Sequence, residues 1–86
     1  MKYFASIKQE NDKWLVEFPD CSGCVTFGES FAQALDNAQE ALEGWLESNL
    51  SCNKIPPLPR TNDGIAVEIN EDLTNRILDS QLNWFS

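Results

Sequence analysis

The sequence predicts an α+β domain with the element order β-β-β-α-β-α. Three observations predict it. The first thirty residues hold short stretches in which apolar and polar residues alternate, the two-residue period of a half-buried strand. One long central stretch repeats its apolar residues every three or four positions, the period of an amphipathic helix. After a proline-rich break, a further alternating stretch is followed by a second three-and-four pattern.

The first strand spans residues 2–9, with Tyr3, Ala5 and Ile7 on one face and Lys2, Phe4, Ser6 and Lys8 on the other. Gln9-Glu10-Asn11-Asp12 is a polar turn. Residues 13–18 form a second strand that places Trp14, Val16 and Phe18 together, and two strands this close in sequence make a hairpin. Pro19-Asp20 ends it. Val25-Thr26-Phe27 is a short third strand, stopped by Gly28. Ser30 then has the chemistry of a helix N-cap, and Gln33 three residues on completes a capping box. The helix, predicted over 30–48, puts Phe31, Ala34, Leu35, Ala38, Leu42, Trp45 and Leu46 on one face. Asp36, Glu40, Glu43 and Glu47 fall on the other, a negative stripe without a base.

Residues 49–63 are polar and carry Pro56, Pro57 and Pro59, so they read as an ordered loop or stiff linker, not a second domain, within a single domain covering 1–86. Asp63-Gly64 is a turn. Ile65, Val67 and Ile69 share one face of a further strand. Asn70 caps a last helix, with Glu71 and Asp72 at its positive end. Leu73, Ile77, Leu82 and Phe85 are expected to bury its apolar side. Residues 65–86 are thus a strand plus a terminal helix.

The chain has 86 residues, 42% of them hydrophobic, which suits one packed core rather than a disordered segment. Fourteen acids against six bases give a net charge of −8. Such a surface repels phosphate backbones, whose capture depends on Lys and Arg displacing counterions. It suits a basic protein partner, or simply keeps the protein soluble. The start of the chain lacks the apolar core of a secretion signal, and no apolar run reaches the roughly 20 residues that span a bilayer. A cytoplasmic protein with no membrane contact is the expectation.

Cys21-Ser22-Gly23-Cys24 invites a chemical reading. Zinc takes about four ligands of the Cys or His type. The chain has no histidine and one further cysteine, Cys52. A redox pair sits where a strand runs into a helix, whose N-terminus activates the first thiol. Here the pair precedes another strand. The reading left is structural: Ser22-Gly23 supplies a turn, and Cys24 enters the third strand as a small apolar residue. No catalytic residue, metal or cofactor is expected.

Taken together, Trp14-Leu15-Val16-Glu17-Phe18-Pro19-Asp20, Gly23-Cys24, Gly28, Ser30, the run Ala34 to Leu42, and Ile55-Pro56 resemble the N-terminal domain of HicB-type antitoxins. The resemblance covers about residues 1–60, and Cys21 stands where that family usually has Leu. It implies a partial RNase H-like fold: a three-stranded antiparallel meander, a crossover helix on one face, and a fourth strand returning beside the first. The strand acids Glu17 and Glu68 do not form the carboxylate cluster of a ribonuclease H. Typical members continue into a DNA-binding segment. Residues 67–77 resemble the opening of a ribbon-helix-helix, but the second helix is missing and Arg76 is the only cation there. Residues 65–69 are therefore either the fourth strand or a remnant of a DNA-binding unit; the strand is preferred because a small fold needs its core area. DNA binding is not expected.

The resemblance implies an antitoxin that binds a small basic mRNA-cleaving toxin of HicA type. Asp20, Asp36, Glu40 and Glu43 are the candidate contacts, unless they are only a solvated face. The other reading is a stand-alone interaction or regulatory module that kept the fold without a toxin. Trp84 and Phe85 suggest a docking or self-association surface, and hence a homo-oligomer, or else packing against the sheet.

Overall fold

A computed structural model describes residues 1–83. Its elements are β1 (Lys2–Glu10), β2 (Lys13–Glu17), β3 (Val25–Gly28), α1 (Phe31–Ser51), β4 (Ile65–Glu68) and α2 (Glu71–Asn83). The strands form one sheet in the order β3-β2-β1-β4, with every neighbouring pair antiparallel. Residues 65–68 are thus the fourth strand, pairing Val67 with Tyr3 and Glu68 with Lys2.

The alternation sorts residues as the sequence predicts. Tyr3, Ala5, Val16 and Val67 are buried on the face that α1 covers. The β1–β2 hairpin closes over Asn11-Asp12, with Asn11 at φ 57°, a left-handed conformation that Asn tolerates. Gly28 lets β3 lie against the first turn of α1, since a Cβ there would run into the backbone of Ala34.

Ala34, Ala38, Leu42 and Leu46 form the buried stripe of α1. Leu42 and Leu46 are fully buried, and each such side chain stabilises a fold by about 1.5–3 kcal/mol. Phe31, expected in this stripe, remains 41% exposed and meets the Trp14 ring edge-on, with centroids 5.3 Å apart. Ser30 caps the helix as predicted, its Oγ accepting from the Gln33 amide at 3.1 Å. The reciprocal bond is displaced by one residue: Gln33 Oε1 accepts from the amide of Glu29, not from that of Ser30.

The helix runs to Ser51, three residues past the predicted end. It stops at a left-handed Asn53 with φ 59°. The Lys54 amide donates to Asn49 O at 2.9 Å and the Asn53 amide to Leu50 O at 3.1 Å, so two carbonyls of the last turn are satisfied. The helix also closes the sheet at both sides. Asn37 Nδ2 donates to Phe27 O on β3, and Gln39 Nε2 donates to Glu68 O on β4. Both edge strands thereby lose an acceptor that another chain could use.

In α2, Asn70 caps through Oδ1, which accepts from the Leu73 amide at 2.8 Å. Leu73 and Ile77 are buried, but Leu82 is 66% exposed, against expectation: it lies near the end of a helix that touches α1 rather than the sheet. The expectations for Trp84 and Phe85 lie outside the described residues.

Candidate functional site

The sequence points to carboxylates, and the fold treats them unequally. Asp20 follows β2 and reaches the proline-rich loop. Its Oδ2 accepts from the amides of Arg60 and Thr61, each at 2.8 Å, and its Oδ1 from the Thr61 hydroxyl at 3.0 Å. The Thr61 amide, then that of Arg60, hold its carboxyl below the usual carboxylate range. Two more bonds pin the same loop: Tyr3 Oη donates to Pro57 O at 2.7 Å and Gln81 Nε2 to Pro56 O at 2.9 Å. The loop is therefore a strap joining β1, the β2–β3 turn and α2. Beside it lies an open cleft of about 510 Å³, lined by Pro19, Asp20, Ile55, Leu58 and Gln81 among others.

Glu43 also works inside the molecule. Half-buried on α1, it accepts from the backbone amide of Asn70 at 2.8 Å and from its side-chain amide at 3.2 Å, tying α1 to the start of α2. Glu47 lies 3.8 Å from Arg76, which also faces Asp72 at 3.8 Å. Asp36 and Glu40 are exposed and have no ion pair or hydrogen bond among the described residues. Glu40 lines a shallow cleft with Thr26, Asn37 and Ala41, between β3 and α1. The four candidate acids thus do not converge. Asp20 belongs to the strap, Glu43 to the α1–α2 joint, and Asp36 and Glu40 to the free face of α1.

The cysteine pair is built into the core. Cys21 and Cys24 are both buried, and Cys24 N donates to Cys21 O at 2.9 Å across a turn in which Gly23 takes φ 89°. Burial, with smaller contributions from Cys24 and Asp20, pushes the Cys21 thiol up to about 12; burial alone pushes Cys24 up to about 11. Both are therefore protonated near neutral pH, which suits packing rather than nucleophilic attack. Among the described residues, no group of three or more His, Cys, Asp or Glu side chains is placed to hold a metal. No described helix is long and apolar enough to cross a membrane.

Residues 3–79 match the family described as HicB_like antitoxin of bacterial toxin-antitoxin system. The chain belongs to this family. It is also 33% identical over 85 residues to an uncharacterized 14.9 kDa protein from the rep-hol intergenic region of Haemophilus phage HP1 (strain HP1c1). That alignment covers 87% of this chain and 64% of the phage protein, so the chain spans just under two thirds of that relative's length. Within that frame, Asp36 and Glu40 on α1 are the candidate acids left without an internal partner among the described residues. The strap was harder to foresee. Ile55-Pro56 marked a loop, but nothing near Asp20 in sequence announced partners forty residues away.

Proposed function

We propose that this chain is the toxin-binding domain of an antitoxin and neutralises a small, basic, mRNA-cleaving toxin of HicA type. It acts in the cytoplasm by covering the toxin, without catalysis of its own and without gripping DNA. One observation carries this reading: a member of an antitoxin family, with net charge −8, presents Asp36 and Glu40 on the open face of its longest helix with no internal partner among the described residues. Opposite fields speed encounter and disfavour wrong partners. Asp20 and Glu43 add to the same field from positions where their oxygens are already bonded. The partial RNase H-like scaffold implied by the resemblance serves here as a frame for that face.

The test is co-expression with a candidate HicA-type toxin, scored by growth, with binding kinetics on the purified pair. Association slows as salt rises, because screening shortens the reach of the field. Asp36→Lys with Glu40→Lys lowers the association rate more than it raises the dissociation rate. Glu43 is left intact so that the α1–α2 joint is undisturbed. A folded double variant that rescues growth as well as the parent removes this face from the contact. Failure of the parent chain to bind any such toxin would leave the stand-alone interaction module as the better reading.

A further inference from the structure

The sheet has a second face, and α1 does not cover it. The register places Leu15 opposite Phe27 and Phe4 opposite Ala66 on that side. Val25 and Phe27 are each 52% exposed. Large apolar side chains are unusual on the solvent face of an antiparallel sheet, which normally alternates to polar residues. Lys13 Nζ rests 4.6 Å from the Phe27 ring centre, and Lys8 lies 4.0 Å from Glu17.

The charges on this face decide what fits it. The outward positions carry Lys2, Lys8 and Lys13 together with Glu10, Glu17 and Glu68, so the face is electrically neutral. The rest of the chain holds eleven acids and three bases, the whole net charge of −8. A nucleic acid gains no field here, and a basic protein is drawn to the helix side instead. A second copy of this chain, whose remaining surface is net acidic, meets no net charge on this face.

We infer that the open face of the sheet is a self-association surface, on which two copies stack sheet against sheet about a two-fold axis. With the two β1 strands antiparallel, Lys2 at one end of β1 faces Glu10 at the other end of the second copy's β1. Neither residue has a side-chain ion pair among the described residues. Four strands about 4.8 Å apart and a few residues deep offer roughly 400 Å² per copy, about half the usual share of a stable interface. The dimer is therefore reversible and concentration-dependent, not obligate.

The experiment is analytical ultracentrifugation of the chain alone, from micromolar to millimolar concentration, so its outcome does not depend on any toxin. A monomer–dimer equilibrium is expected, and Phe27→Glu abolishes it without altering the circular dichroism spectrum. Lys2→Glu and Glu10→Lys each weaken the dimer several-fold, and the double variant regains the parent's affinity. Removing residues 84–86 leaves the dimer intact. A chain that stays monomeric throughout overturns the inference. So does a dimer that survives Phe27→Glu, or one that vanishes with residues 84–86. Dissolution of the dimer by a bound toxin, together with loss of toxin binding in Phe27→Glu, would assign the face to the toxin and overturn it as well.

Discussion

Asp20 and Glu43 turn their oxygens into the molecule, whereas Asp36 and Glu40 leave theirs in solvent. Each of the first two ties down a piece of backbone that no helix or strand would otherwise hold: Asp20 the end of the strap, Glu43 the start of α2. The second two bond to nothing among the described residues, and their effect on the fold is that of a solvated helix face. The contrast separates two uses of negative charge. An acid that accepts hydrogen bonds stabilises the structure locally; an exposed one shapes the field that a partner meets.

The helix carrying three of these four acids is the place to break both uses at once. Leu42→Ala should lower stability by about 2–5 kcal/mol, through lost burial and the cavity left behind, as read by urea denaturation. A loss below about 0.5 kcal/mol would mean that the helix is seated on a different face.

The comparison sharpens at Asp20. Asp20→Asn keeps one carbonyl oxygen for the two backbone amides but removes the charge and turns an NH2 group toward the Thr61 hydroxyl. It should cost about 1 kcal/mol, below the range for bonds to a buried charged group because the site is partly exposed and solvent-screened. The effect depends on pH with a defined sign. The folded carboxyl is held below its unfolded value, near 3.8. Its stabilisation is therefore complete above that value and is lost as pH falls through the lower folded value. Acid titrations of parent and Asn variant should separate at neutral pH and converge below about pH 4. A constant gap across that window would show that Asp20 acts through packing and not through its charge.

Glu43→Gln keeps an acceptor for Asn70 but removes the charge, so a loss of about 0.5 kcal/mol is expected in the same denaturation assay. Asp36→Lys with Glu40→Lys should leave stability within about 0.5 kcal/mol of the parent. A larger drop would show that these two acids also serve the fold, and the distinction between the pairs would disappear.

The sequence was most informative where the physics is local. The order of elements, the phase of α1, and the caps at Ser30 and Asn70 follow from periodicity and from hydroxyl or amide groups within three residues of their partners. The structural reading of Cys21 and Cys24 was also available, because the absence of histidine and of a second Cys-x-x-Cys is a property of the chain itself. Even the end of α1 had a local signal in Asn53, whose left-handed backbone stops the helix. The candidate acids were legible as a set of charges, but their division into working and free groups was not. Asp20 finds Thr61 across 41 positions, and Glu43 finds Asn70 across 27. Leu82 faces solvent, although its spacing allotted it to the buried side of α2. Hydrophobic period and capping chemistry act over one or two turns of chain, and those are written in order along it. Which carboxylate meets which amide, and which apolar residue is left uncovered, depend on how the finished elements pack, and that arrangement exists only once the sheet, the strap and both helices are in place.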